Sequence, residues 1–319
     1  MKYCPLLYDA INFEPGCIQP CCDVRALGVP SFPFSGGILD AGEYRAHIDN
    51  VFGRLQEGAQ VCSGCPDLFD VDSLPPIPES GLRLQSVSFN QHRYFCNCRC
   101  VYCNLWKKKG AEKPYEVLPA LVGLYKQNAF DEKCVFSWGG GEPSILPEFE
   151  AVCRWIMSHG YFQYVHTSAL HFSRAVALML AEGKGKINVS LDSGNAEGYA
   201  VVKGLNGWDK VVSNLEKYAA ACVDTLQIDL KFIIFDLNNE LAVIDDFFSL
   251  CKRLEIKNVQ YSLDFREVNA GKVSDKTLLG AAYFRQRARE LGLELDSFYV
   301  DARIAERIDA LERAHFGGA

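Results

Sequence analysis

The stretch Leu84-Gln85-Ser86-Val87-Ser88-Phe89-Asn90-Gln91-His92-Arg93-Tyr94-Phe95-Cys96-Asn97-Cys98-Arg99-Cys100-Val101-Tyr102-Cys103 decides the fold. Its first six residues, LQSVSF, read as a β-strand. The remainder is a loop carrying Cys96-x3-Cys100-x2-Cys103. Three thiolates at this spacing can wrap one set of irons, whereas a four-iron cluster takes four ligands. One iron would then stay open, by the logic that leaves a position open in catalytic zinc sites.

Working outward, the chain alternates. Strands are predicted at 134–138, 164–167, 187–191, 226–235 and 259–263, with helices at 147–159, 173–182, 208–222, 240–254 and 276–291. Ser173 reads as an N-cap, and Gly160, Gly183 and Gly292 as stops. The segment 114–128 is a weaker helix because Pro119 interrupts it. Six strand–helix units in a row predict an α/β fold with a parallel sheet. Six are too few for a closed eight-stranded barrel and suit a partial (βα)6 TIM-like barrel. Ligands in such folds sit at the carboxyl ends of the strands.

Upstream, Leu74-Pro75-Pro76-Ile77-Pro78-Glu79-Ser80-Gly81 suits neither a helix interior nor a central strand. It reads as a linker. The expected division is a small cysteine-rich N-terminal domain, 1–80, and a barrel with C-terminal helices, 81–319. The first part holds Cys4, Cys17, Cys21, Cys22, Cys62 and Cys65.

The chain has 319 residues, 14 of them cysteine, with 49% hydrophobic and 23% charged residues and a net charge of −7. A core of this size needs no disulfide staples. No apolar run is long enough to span a membrane, and the N-terminus lacks the apolar stretch of a signal peptide. A cytoplasmic location is expected, where clustered cysteines read first as metal or iron–sulfur ligands. Net acidity argues against a nucleic-acid partner, and Lys107-Lys108-Lys109 reads as a solvated loop.

Cys-x3-Cys-x2-Cys with Tyr102 before the last cysteine resembles the signature of the radical S-adenosylmethionine (SAM) enzymes. Ser137-Trp138-Gly139-Gly140-Gly141-Glu142-Pro143 resembles the family's Gly-Gly-Glu motif, carried by Gly140, Gly141 and Glu142. Glycines let backbone approach a ligand closely, and a carboxylate suits the amino group of SAM. Val189-Ser190-Leu191-Asp192-Ser193 and the later Lys203 are also similar to the family. The resemblance implies that Ser190 and Lys203 contact the SAM carboxylate and that Asp192 faces the ribose or substrate. Ser168 is the expected small polar residue near the ligand.

The resemblance further implies a [4Fe-4S] cluster on Cys96, Cys100 and Cys103. There SAM is reductively cleaved, and the radical formed takes hydrogen from a peptide or small-molecule substrate. An external donor such as flavodoxin or ferredoxin would supply the electron. The cofactor carries the hard chemistry, and the protein positions it. The first part looks like a short SPASM auxiliary-cluster domain placed before the barrel instead of after it. By that resemblance Cys4, Cys21, Cys62 and Cys65 are the expected quartet, with Cys22 close behind Cys21 and Cys17 spare.

Blander readings stand beside these. Zinc suits thiolates as well as iron does, at either cysteine group. A second reading of the whole chain is a non-catalytic zinc or iron–sulfur binding or electron-transfer protein. Cys98 reads as a bystander, and Cys134, Cys153, Cys222 and Cys251 as small core residues. His166 and His171 read as loop or core histidines, and Trp138 as packing. Asp229, Lys231, Asp264 and Arg266 would read substrate or pair with one another if they point into the barrel.

Overall fold

The computed structural model describes residues 1–21, 28–58, 61–62, 65, 67–74, 81–108 and 113–317. The chain divides into two compact units, Met1–Phe95 with Lys109–Tyr164, and Cys96–Lys108 with Val165–Ala319.

The first unit begins with β1 (Lys2–Tyr3), α1 (Leu6–Asp9), β2 (Ala10–Glu14), β3 (Cys17–Gln19) and β4 (Phe32–Pro33). It continues with α2 (Ala41–Gln56), β5 (Phe69–Asp70), β6 (Leu84–Phe89), α3 (Leu118–Lys126), β7 (Phe130–Trp138) and α4 (Phe149–Ser158). β6 pairs in parallel with β7 on one side and β2 on the other, and β3 and β4 follow antiparallel. Phe13, Phe89 and Trp138 stack across these strands, with ring centroids 5.8 Å and 4.3 Å apart. Trp138 is therefore a packing residue, as expected.

β8 (Phe162–His166) runs across the division. The second unit then has α5 (Arg174–Ala181), β9 (Gly185–Ser190), α6 (Ala196–Lys203), α7 (Trp208–Ala221) and β10 (Ile228–Ile234). It ends with α8 (Leu241–Arg253), β11 (Asn258–Leu263), α9 (Phe265–Asn269), α10 (Asp275–Glu290), β12 (Glu294–Phe298) and α11 (Ala302–His315). β9, β10, β11 and β12 are all parallel. In β10 the alternate residues Ile228, Leu230, Phe232 and Ile234 are fully buried. Phe232 meets Phe247 of α8 and Phe284 of α10, so this is the helix-covered face. Asp229, Lys231 and Ile233 lie on the other. Ser173 caps α5 as expected, accepting from the Val176 N–H at 3.2 Å.

One difference from the sequence expectation stands out. The parallel strands number more than six, because β12 continues beyond β11 and β2 joins β6. β12 escapes a hydrophobicity pattern because most of it is exposed and polar. The expected boundary near residue 80 falls in 75–80, outside the described residues. On either side of it β2 and β6 share one sheet, and the compact units divide at Phe95 and at Tyr164. Among the described residues no helix is long and apolar enough to cross a membrane.

Candidate active site

The cysteine loop opens the second unit. It runs beside the end of α6, where the Arg99 N–H donates to the Lys203 carbonyl at 2.9 Å and the Val101 N–H to the Val202 carbonyl at 3.0 Å. Gly204 ends α6 in the left-handed conformation, φ +69°. A Cβ there would lie 2.8 Å from the Arg99 carbonyl oxygen, so glycine admits the strap. From the other side, Arg266 donates to the Val101 carbonyl at 3.2 Å while its Nε holds Asp264 at 3.0 Å. Trp106 donates to the Cys100 carbonyl at 3.1 Å. Asp264 and Arg266 thus pair with each other and brace this loop.

The four thiols of the loop interact. The Cys98 N–H donates to Cys96 Sγ at 3.4 Å, and the Cys98 thiol hydrogen-bonds to Cys100 and Cys96, which holds Cys98 protonated. The same bond holds Cys100 below the usual thiol range; burial opposes it, and Lys203 assists. Burial raises the Cys103 thiol, and the nearby Cys100 and Cys96 add to that. Cys98, expected to be a bystander, is a buried member of this group. Among the described residues no three His, Cys, Asp or Glu side chains are arranged as ligands of a single metal ion. An iron–sulfur cluster is a larger body, with ligands standing further apart. The donor chemistry fits one: three neighbouring thiols in one turn, one biased toward thiolate, with a lysine to offset charge.

Tyr102, from the same loop, meets Asp192 and Lys203. Asp192 is fully buried at φ +56°. Its Oδ1 accepts from the Ile233 N–H at 2.7 Å; its Oδ2 accepts from Tyr102 at 2.6 Å and from Lys203. Lys203 also reaches Tyr102 Oη at 3.0 Å. Burial is the largest single influence and works against the Lys203 charge; Asp192 first, then Tyr102, Cys100 and Cys98, together overcome it and raise the Lys203 pKa. The structure turns the Asp192 carboxylate toward the protein, where it fixes Lys203 and Tyr102. Ser168 donates to Asn97 Oδ1, between the cysteines, at 3.1 Å. Ser190 is half-buried at the end of β9, in register with Lys231.

The glycine turn lies in the first unit. A Cβ on Gly141 (φ +60°) would fall 2.3 Å from the Phe95 carbonyl oxygen and 2.6 Å from that of His92. Gly140 packs against Arg93 in the same way. The turn is therefore seated on the 90–95 segment, and the Glu142 N–H donates to the Phe95 carbonyl at 2.7 Å. Glu142 is fully buried, and its Oε1 accepts from the Ser144 hydroxyl at 2.6 Å. A network that sequence reasoning missed supports the segment from below. Glu14 accepts from Asn12 at 2.7 Å and from Arg93, and Asn90 donates to Asn12 at 2.8 Å. Its signal in the sequence is Asn12 and Glu14 within the otherwise apolar β2 and Asn90 directly after β6.

The N-terminal thiols also gather. Cys4, Cys21 and Cys62 line one small apolar cavity with Leu7, Pro20 and Val51. The Cys65 N–H donates to the Cys62 carbonyl at 3.0 Å. Burial, then Cys4 and Cys65, push the Cys62 thiol up to about 11. Cys17 stands apart on β3, beside Ser31. Cys22 lies outside the described residues. Cys134, Cys153 and Cys251 are buried core thiols, as expected. Cys222 is half-buried and donates to the Ala219 carbonyl.

Residues 90–237, a little under half of the chain, match the model of the Radical SAM superfamily. Among particular proteins, the chain is 29% identical over 166 residues to the mycofactocin maturase MftC of Mycobacterium ulcerans, covering 50% of this chain and 42% of that one. It is 23% identical over 184 residues to a probable GTP 3′,8-cyclase of Saccharolobus islandicus, covering 57% and 58%. These matches span roughly half of each relative's length. The structure of Streptococcus suis SuiB with its precursor peptide SuiA superposes with a TM-score of 0.54 at 10% identity, over 84% of this chain and 65% of SuiB. At that identity the likeness concerns the fold alone.

Proposed function

We propose that the chain is a radical SAM enzyme acting on a peptide or small molecule, with Cys96, Cys100 and Cys103 holding a [4Fe-4S] cluster whose open iron receives SAM. One observation carries this reading: three interacting thiols sit in a loop tied by backbone bonds to Val202 and Lys203. When bound and reduced, the cluster supplies the electron that cleaves SAM to a radical able to take hydrogen from an unactivated C–H bond.

The chain's own residues bind and orient. Lys203, held charged by Asp192, is suited to the SAM carboxylate. Asp192 is a positioning residue, since both of its oxygens are engaged. Ser168 positions the loop through Asn97, and Ser190 offers a hydroxyl on the polar strand face. We assign Gly140, Gly141 and Glu142 to SAM on the strength of the family resemblance. The relative named a mycofactocin maturase favours a substrate that is matured by modification, such as a peptide; the GTP 3′,8-cyclase relative favours a small molecule. An external flavodoxin or ferredoxin would supply the electron, and the cell interior is the expected location.

We also propose a second metal centre on Cys4, Cys21, Cys62 and Cys65, an auxiliary iron–sulfur cluster in first place and zinc in second. The shared cavity and the mutual effects of Cys4, Cys62 and Cys65 support it. Iron, sulfide and zinc analysis after anaerobic reconstitution tests both sites. Wild type should carry about eight irons, two cubanes' worth. A Cys96/Cys100/Cys103→Ala variant and a Cys62/Cys65→Ala variant should each lose about four. Unchanged iron in either variant overturns that site.

A further inference from the structure

One half-buried cation in the second unit is not used by the site described above. Lys231 sits on the face of β10 opposite Leu230 and Phe232, so it points away from the helices. Parallel register places it level with Ser190 of β9 and Gln260 of β11. That face carries the polar residues Asn188, Ser190, Asp229, Gln260 and Ser262, with Ile233 and Phe298 toward the carboxyl ends of the strands. The Lys231 ammonium lies over the Phe298 ring, 4.8 Å from its centroid. Phe298 pairs with Ser262, two residues beyond Gln260 toward the carboxyl ends of the strands. The side chain therefore reaches toward the end of the sheet where ligands bind in such folds.

Among the described residues Lys231 has no carboxylate partner. Asp192 is held by Tyr102, Lys203 and the Ile233 N–H. Asp264 is held by Arg266, and Asp229 accepts from Asn258 at 3.2 Å. A half-enclosed ammonium without a counter-charge is unfavourable unless an anion visits it. Burial lowers the Lys231 pKa; Asp192 opposes that and Lys203 adds to it, which agrees with such an incomplete site.

We propose that Lys231 anchors an anionic group of the substrate, a carboxylate or a phosphate, on the polar strand face beside Ser190. The proposal rests on the radical SAM reading and adds a substrate class to it: an acidic molecule or a peptide presenting an acidic group. The carboxylate of SAM is the other anion that Lys231 can serve, and the test separates the two.

Reconstituted, SAM-loaded protein is titrated calorimetrically with inorganic phosphate and with acetate, for wild type, Lys231→Met and Lys231→Arg. SAM dissociation constants are measured on the same three proteins by equilibrium dialysis. The expected result is saturable binding of at least one anion to wild type and to Lys231→Arg. Lys231→Met should bind it about tenfold more weakly or worse, with its SAM dissociation constant within about twofold of wild type. Equal anion binding by wild type and Lys231→Met, or no saturable binding to wild type, overturns the anchor. A roughly tenfold loss of SAM affinity in Lys231→Met moves the anion to SAM and overturns the substrate assignment. Wild type that fails to cleave SAM refutes the enzyme reading instead, so the two failures are distinguishable.

Discussion

Tyr102 donates a 2.6 Å hydrogen bond to Oδ2 of Asp192, ninety residues further along the chain. The same oxygen accepts from Lys203, which is almost fully buried. One carboxylate thus ties the cysteine loop, the end of β9 and the end of α6 together. Removing its charge leaves the Lys203 ammonium buried and uncompensated. Asp192→Asn is expected to cost about 3–5 kcal/mol, the usual penalty for breaking a buried pair from one side. Urea unfolding of the two proteins measures it. A difference below about 1 kcal/mol, the range of an exposed pair, would show that the triad is not the tie described.

Gly141 makes a second prediction, with its own control. Gly141→Ala forces a Cβ against two backbone oxygens and sets a left-handed backbone, φ +60°. Gly160 has φ +84° with nothing within 4 Å of its Cβ position. Gly160→Ala should therefore show only backbone strain, about 1–2 kcal/mol. Gly141→Ala should cost clearly more, because the Phe95 and His92 carbonyls must move. Equal losses in the two variants would mean that the turn is not seated on the 90–95 segment.

His92 gives a pH signature. It is fully buried, and neither ring nitrogen has a well-formed hydrogen bond among the described residues. Burial first, and then Arg93, lower its pKa from 6.5 to about 3; a weak pull from the Gly140 backbone does not reverse this. The unfolded chain takes up a proton below pH 6.5 and the folded chain does not. Stability from this residue is thus fully present above pH 6.5 and is lost as pH falls toward 3. The slope is at most about 1.4 kcal/mol per pH unit. His92→Leu should flatten that limb and cost little at pH 7, since it removes orphaned polar atoms. An unchanged acid limb in denaturation at pH 4, 5, 6 and 7 would contradict this.

The sequence carried the local features well and the long-range ones poorly. β6 spans Leu84–Phe89, the predicted bounds, because apolar residues and turn signals frame it on both sides. Ser173 caps α5 through its own hydroxyl, a contact within four residues. α6 was missed: it has eight residues with Gly198 inside, and its Asn195 cap is the main cue. Without α6, the strap from Arg99 to Lys203 had no visible partner. The family resemblance implies that Asp192 faces the ribose or substrate; no local pattern in the sequence reveals that Tyr102 and the Ile233 N–H engage its carboxylate. The N-terminal strands, of two to five residues, are too short for a period to register. The cysteines were legible by spacing, but the gathering of Cys4, Cys21 and Cys62 around one cavity is tertiary information.

Radical chemistry with SAM at the 96–103 loop is tested most directly by incubating anaerobically reconstituted protein with SAM and dithionite and quantifying 5′-deoxyadenosine and methionine. Wild type should release both in equal amounts, and the Cys96/Cys100/Cys103→Ala variant should release neither. Cleavage at the wild-type rate by that variant, or none by an iron-loaded wild type, would contradict the account.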